Sequence, residues 1–213
     1  MVTHASSAAG PLRRVPVQGR SLARVNRMLD ACAELIDEVG YEALTTTLLA
    51  DRAQVAIGSV YQFFPDKRAI VHALTMRNMD TYVERLSARV ASAEMVNWWD
   101  AVDAALDEFI DMNRTVPGFK TLHFGDVIDR NLLDADREND AVFAAKLGEL
   151  LVQRFGLADE PVLAASLAIA VEISDALIKL AFRRDPYGDE AVLAEVRDLV
   201  RDYLFRKLNQ PRT

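Results

Sequence analysis

The chain has one cysteine, Cys32, so no disulfide can form within it. Its three histidines, His4, His72 and His123, stand too far apart for any zinc-ligand spacing, and neither a metal nor a cofactor is expected. No Ser/His/Asp, Cys/His or phosphate-loop constellation is present, which leaves an enzyme reading without support. Glycine and proline are scarce, nine and seven in 213 residues, and most prolines fall between periodic stretches. That excludes a turn-rich all-β fold and favours long helices. Long apolar runs are also missing. The most apolar, residues 162–171, ends at Glu172 and is too short to span a bilayer. With no apolar leader near the N-terminus, a cytoplasmic protein with no membrane association is expected.

What remains is an apolar-rich, all-α sequence with an uneven charge. The net charge is −7, yet residues 11–68 carry 8 basic and 7 acidic residues, and residues 69–213 carry 17 and 25. Residues 11–27 hold five arginines, Arg13, Arg14, Arg20, Arg24 and Arg27, and no acid. Cationic charge gathered at one end suits phosphate contacts, and equally suits a solvated basic tail. The acidic remainder would repel nucleic acid elsewhere.

Residues 1–20 lack periodicity and read as a flexible basic arm. From Ser21, Leu22, Val25, Leu29, Cys32, Ile36 and Val39 repeat at helical spacing, with Gly40 placed to end the helix. Cys32 lies on that apolar face, as a buried thiol. Thr45 caps a second helix running to about Ala53. Residues 54–56 form a turn, and residues 57–64 form a third helix with Val60 and Phe64 inward and Ser59, Tyr61, Gln62 and Phe63 outward. Pro65 stops it, and Asp66 caps the next helix. Two helices joined by so tight a turn form a helix-turn-helix, with residues 57–64 as the recognition helix. Gln62 is suited to pair with adenine, and Tyr61 to meet a phosphate or a thymine methyl. Further helices are expected over residues 67–91, 98–115, 136–155, 161–182 and 189–208, with a short mixed segment at 119–127. The expected organisation is an arm over residues 1–20, a helix-turn-helix domain over 21–68, and a larger helical domain over 69–213 with room to pair with a second copy and enclose a ligand.

The stretch Leu35, Ile36, Asp37, Glu38, Val39, Gly40, Tyr41, followed by Ala43 to Thr46, Leu49, Ala50, Ala53 and Gly58 to Lys67, resembles the TetR family of bacterial transcription regulators. The resemblance covers about 45 residues and fades beyond Leu74; past that point it implies a helical ligand-binding and dimerisation domain. Carried over by position, it implies phosphate contacts from Thr46, Thr47 and Lys67, and recognition-helix contacts from Ile57, Gly58, Ser59, Tyr61 and Gln62. Arg20 is added from the arm. Four positions depart from the family's pattern. Gln54 replaces a turn glycine, and Leu48 a polar or basic residue. Phe63 stands where histidine is common. Ala56 replaces a Ser/Thr cap, at a cost of about 1 kcal/mol.

The function expected is that of a ligand-responsive repressor. A homodimer paired through the two C-terminal helices would bind a pseudopalindromic double-stranded operator, with recognition helices about 34–36 Å apart. A small apolar or amphipathic effector would release it, acting through the long helix from Lys67. The alternative is a helical carrier or sensor of small molecules whose DNA-binding domain is vestigial. Candidate effector contacts are Phe109, Met112, Asn113, Phe119, His123, Phe143, Glu172 and Asp175. Glu172 and Asp175 have two readings at this point: acids that receive a cationic effector, or acids that face solvent or reach an arginine such as Arg183 across a dimer interface. His123 is open between an effector contact and a hydrogen-bonded core histidine.

Overall fold

The structure is a computed structural model of the chain. It describes residues 19–92, 95–124, 130–158 and 160–208, excluding the side chains of residues 123–124 and 130–140. Arg13 and Arg14 and the side chain of His123 therefore lie outside the described residues. Every described element is a helix: α1 (Gly19–Ala43), α2 (Thr46–Arg52), α3 (Ile57–Phe63), α4 (Lys67–Val90), α5 (Trp98–Thr115), α6 (Phe119–Phe124), α7 (Arg130–Phe155), α8 (Pro161–Arg184) and α9 (Glu190–Leu208).

These helices form two compact units. The first takes α1, α2, α3, the start of α4 up to Arg77, and the segment from Pro117 with α6; the second takes α4 from Asn78, α5, α7, α8 and α9. The expected division falls at residues 68/69; here the first unit also takes residues 69–77 of α4, about two and a half turns, and α6. Helical periodicity identifies a buried face but not the core that covers it.

In the first unit, α1 packs against α2 and α6, and α2 against α3. With helices on two sides, the buried sector of α1 is wider than one stripe. Met28, Leu35 and Ala31 are buried beside Val25, Leu29, Cys32 and Ile36, while Leu22 and Val39, the ends of the expected stripe, are exposed. The helical conformation breaks at Gly40, whose φ of 75° and ψ of 169° belong to a region that is essentially glycine's alone. Phe64, Leu44, Leu49, Ile70 and Leu74 complete this core.

The α6 segment is held to α1 by one carboxylate. Asp37 accepts from the Gly118 N–H at 2.7 Å and from the Thr121 hydroxyl at 2.6 Å. Gly118 has a φ of 73°, and a Cβ there would stand 2.9 Å from the Ala33 Cα. Only glycine lets the two backbones approach so closely. Phe119, next in sequence, is buried in this unit.

In the second unit, α8 packs on α7 and α9, and α5 on α7 and α9. The start of α5 is fixed by a reciprocal cap. Asn97 Oδ1 accepts from the Trp99 and Asp100 N–H groups, and Asp100 Oδ2 accepts from the Asn97 N–H at 2.9 Å. The Asn97 N–H holds the Asp100 carboxyl below the usual carboxylate range. Charged groups join three helices. Arg197 of α9 donates to Asp103 at 2.8 Å and Asp107 at 2.5 Å, while Arg85 and Arg89 of α4 both reach the buried Glu108. A buried carboxylate bracketed by two guanidinium groups satisfies the rule that interior charge is paired.

Candidate nucleic-acid interface

The surface built by α2 and α3 follows from local rules. Thr45 is extended (φ −128°, ψ 155°), and its hydroxyl oxygen accepts from the Leu48 N–H at 3.1 Å, the N-cap expected for α2. At the turn, Gln54 takes a φ of 53°, the left-handed conformation that glycine fills without cost. Ala56 is extended and gives α3 no side-chain cap, so α3 starts with only the Ser59 N–H to Ala56 carbonyl bond at 2.8 Å.

The inward row of α3 is Val60 and Phe63, and Phe64 follows it as an extended C-cap; all three are buried. The expectation that Phe63 faces outward is corrected. On a helix of seven residues, Phe63 follows Val60 at three positions and falls on the core side, while Phe64, extended just past the helix end, is buried beside it. Phenylalanine there fills the interior instead of forfeiting a phosphate contact. Ile57, Gly58, Tyr61 and Gln62 are exposed, and Ser59 is half-buried. The Tyr61 hydroxyl lies 3.0 Å from Thr46 Oγ1, so recognition and support helices are hydrogen-bonded at the surface they share. Thr47 and Leu48 are exposed beside it, and Arg20 is exposed in the first turn of α1.

Two further observations bear on what this surface can meet. A Cβ added to Gly58 would find no atom within 4 Å. Nothing in the protein therefore requires glycine at this position, although glycine costs helix stability. Lys67 behaves differently from the phosphate contact expected of it. Its Nζ donates to the carbonyls of Tyr41 at 3.1 Å and Glu42 at 3.2 Å, and stands 4.4 Å from the centroid of the Tyr41 ring. Two of its three protons thus hold the chain just after the Gly40 break.

Sequence reading missed Arg52. Its guanidinium donates to Glu38 at 2.8 and 2.6 Å and to Glu34 at 3.1 Å, fixing the end of α2 to α1. The hydrogen bond from Arg52 holds the Glu38 carboxyl below the usual range, and the bonds to Glu38 and then Glu34 raise the guanidinium's own affinity for its proton. The available signal was the pair of glutamates one helical turn apart.

The effector candidates are distributed as follows. Phe109, Met112 and Asn113 lie on the inner side of α5; Met112 and Asn113 are buried and Phe109 is half-buried. Phe143 of α7 is half-buried, and its ring centroid lies 4.7 Å from that of Tyr82, which is 6.3 Å from that of Phe109. Tyr82, absent from the candidate set, is central to this group; its hydroxyl donates to the Ala105 carbonyl at 2.9 Å. Burial pushes its phenol well above the usual tyrosine range, so it stays protonated. Phe119 belongs instead to the first unit. Glu172 is exposed on α8, and Asp175 is paired with Lys179, one turn further on, at 2.6 Å. Of the two readings open for these acids, exposure of Glu172 and the i,i+4 lysine beside Asp175 favour acids that face solvent or are paired.

Comparison with known proteins agrees with this geometry. Residues 28–74 match the model of the family described as bacterial regulatory proteins, tetR family, and residues 96–208 match that of the tetracyclin repressor-like C-terminal domain. A solved TetR-family transcriptional regulator from Streptomyces coelicolor is 43% identical, with a TM-score of 0.74 over 87% of this chain and 99% of that one. The HTH-type transcriptional repressor KstR of Mycobacterium tuberculosis is 45% identical over 51 residues, 24% of this chain and 22% of that protein. The HTH-type transcriptional regulator HbdR of an Aromatoleum species is 34% identical over 68 residues, 32% of this chain and 29% of that protein. The chain thus matches under a third of the length of these two curated relatives. A helix-turn-helix unit followed by a wholly helical second unit, among the described residues, defines a bacterial regulator of the helix-turn-helix class. Both parts match one family: the chain belongs to the TetR family.

Proposed function

We propose that this protein is a homodimeric transcriptional repressor that binds a pseudopalindromic operator through α3 and is released by a small effector held in the second unit. The observation that carries the reading is the outer face of α3. Ile57, Gly58, Tyr61 and Gln62 are exposed together there, with Tyr61 tied to Thr46 on the support helix. Gln62 supplies a paired donor and acceptor for a base edge, and Thr46, Thr47 and Arg20 supply phosphate contacts.

Dimerisation is supported by α8. This helix is long and strongly apolar, yet only 33% of its most apolar stretch is buried. Val162, Ala165, Ile169, Ile173 and Ala176 stand on one exposed or half-exposed stripe, and Leu199 is exposed on neighbouring α9. An apolar stripe that its own chain does not cover suits a self-complementary interface, with two helices contributed by each copy. The carrier alternative rested on Leu48, Ala56 and Phe63; with Phe63 in the core, one of its three supports is gone.

The test is a mobility shift of the DNA upstream of the chain's own coding region at two salt concentrations. The expected outcome is a sequence-preferring complex whose affinity falls steeply with salt. Absence of any retarded species at low salt would refute the repressor reading.

A further inference from the structure

The second unit has one buried side-chain polar atom, among the described residues, that finds no hydrogen-bond partner: Oδ1 of Asn113. Asn113 is 4% exposed. Its amide is not free to turn, because Nδ2 donates to the Phe109 carbonyl at 2.8 Å. Reversing the amide would set oxygen against oxygen, so the orientation follows from the helix itself. The bond to Phe109 adds little to α5, since that carbonyl already lies within the helical ladder, one turn before Asn113. An unmet acceptor in an apolar interior is costly, and an apolar side chain of similar size would remove that cost.

The surroundings limit what could meet it. On the same side of α5, one turn back, is Phe109, with the rings of Tyr82 and Phe143 beyond it. Phe109 and Phe143 are half-buried, so surface beside them is open to contact. The Tyr82 hydroxyl donates its one hydrogen bond to the Ala105 carbonyl and offers only lone pairs beyond it. Asn113 Oδ1 and the Tyr82 hydroxyl therefore both present acceptors. Nor, among the described residues, is a carboxylate available for a cation: Glu108 is bracketed by Arg85 and Arg89, Asp175 is paired with Lys179, and Glu172 is exposed.

The geometry points to Asn113 as the specificity-determining residue of the effector site, selecting an uncharged, largely apolar molecule that carries one hydrogen-bond donor, a hydroxyl or an N–H. The inference rests on the effector reading above and narrows it. A carboxylate would meet the lone pairs of Asn113 Oδ1 and the Tyr82 hydroxyl. A cation would find no free acid among the described residues to balance its charge. A purely apolar molecule fits the aromatic walls but leaves Oδ1 unmet.

The test compares three ten-carbon probes, 1-decanol, its methyl ether and decanoate, by calorimetric titration of the full chain and of Asn113→Leu. Unfolding midpoints of both proteins are measured without ligand. In the wild type, decanol should bind about tenfold more tightly than the ether, the worth of one buried hydrogen bond, and decanoate more weakly than either. In Asn113→Leu, alcohol and ether should bind alike, and the midpoint should equal or exceed that of the wild type. Equal binding of alcohol and ether by the wild type, or tighter binding of decanoate, would overturn the role of Asn113 while leaving an effector site in place. A lower midpoint in Asn113→Leu would also overturn it, by showing the amide to be structural. Failure of all three probes to bind would remove the effector reading itself, and the proposal with it.

Discussion

Replacing Gly58 with alanine separates stability from recognition. Gly58 is the second residue of α3, and the space where its Cβ would stand is open. Alanine therefore meets no clash in the free protein and gains helix propensity, about 0.5 kcal/mol at this end position against a full value of about 1 kcal/mol in a helix interior. For a chain of this size that raises the unfolding midpoint by roughly 1–2 °C. On DNA the sign reverses. A methyl group placed where a backbone or base edge lies against the helix overpacks the interface, at about 1–3 kcal/mol per contact. A dimer presents the group twice, so operator affinity should fall by at least about tenfold. Thermal unfolding followed by circular dichroism gives the first quantity. Anisotropy titration of a labelled DNA fragment selected by the wild-type protein gives the second. Loose binding to unrelated DNA at low salt should be nearly unchanged, since it depends on phosphate contacts. Affinity within twofold of the wild type would refute the argument that a partner, and not the fold, calls for glycine at this position.

Gly118→Ala should do the opposite in the free protein. It forces a left-handed alanine and drives Cβ to 2.9 Å from the Ala33 backbone, for a loss of roughly 2–4 kcal/mol in urea unfolding. Burial pushes the Cys32 thiol up to about 12, so it should resist a thiol-reactive disulfide reagent at pH 8 and react at once in denaturant. Ile169→Asp places a charge on the exposed stripe of α8 and should shift the protein to monomers in analytical ultracentrifugation while leaving its helical content intact. Deleting residues 1–18 removes Arg13 and Arg14; the logarithmic salt slope of operator binding should shrink by roughly 1–2 for each arm engaged, and an unchanged slope would make the arm a tail.

Local signals carried the fold a long way. The expected span of α5, residues 98–115, is the observed one, because Asn97 and Asp100 form a cap and Pro117-Gly118 a stop within a few residues of the apolar pattern they bound. Thr45 was legible as a cap for the same reason. Phe63 was misread because a helix of seven residues has too few turns for its pattern to show how wide the buried sector is. The partners of Lys67 lie on α1, 25 and 26 residues earlier, so no local rule points to them. The partner of Asp175 was within reach of sequence, since Lys179 stands one turn away on the same helix. The orphaned Asn113 oxygen was beyond reach: sequence offers a polar residue on an apolar face but not the direction its amide is held.

Asp37 has a consequence for how the protein is made. It precedes its two partners, Gly118 and Thr121, by 81 and 84 residues. At about 5–20 residues per second, synthesis leaves that carboxylate waiting for several seconds or more. Through that interval the nascent first unit has α1, α2 and α3 but not Phe119, so the side of α1 that α6 will cover stays bare. The N-terminal unit is thus first to be translated but is finished only after α5 has emerged. A fragment ending at Arg77 would keep the recognition helix and lack part of the core beneath it.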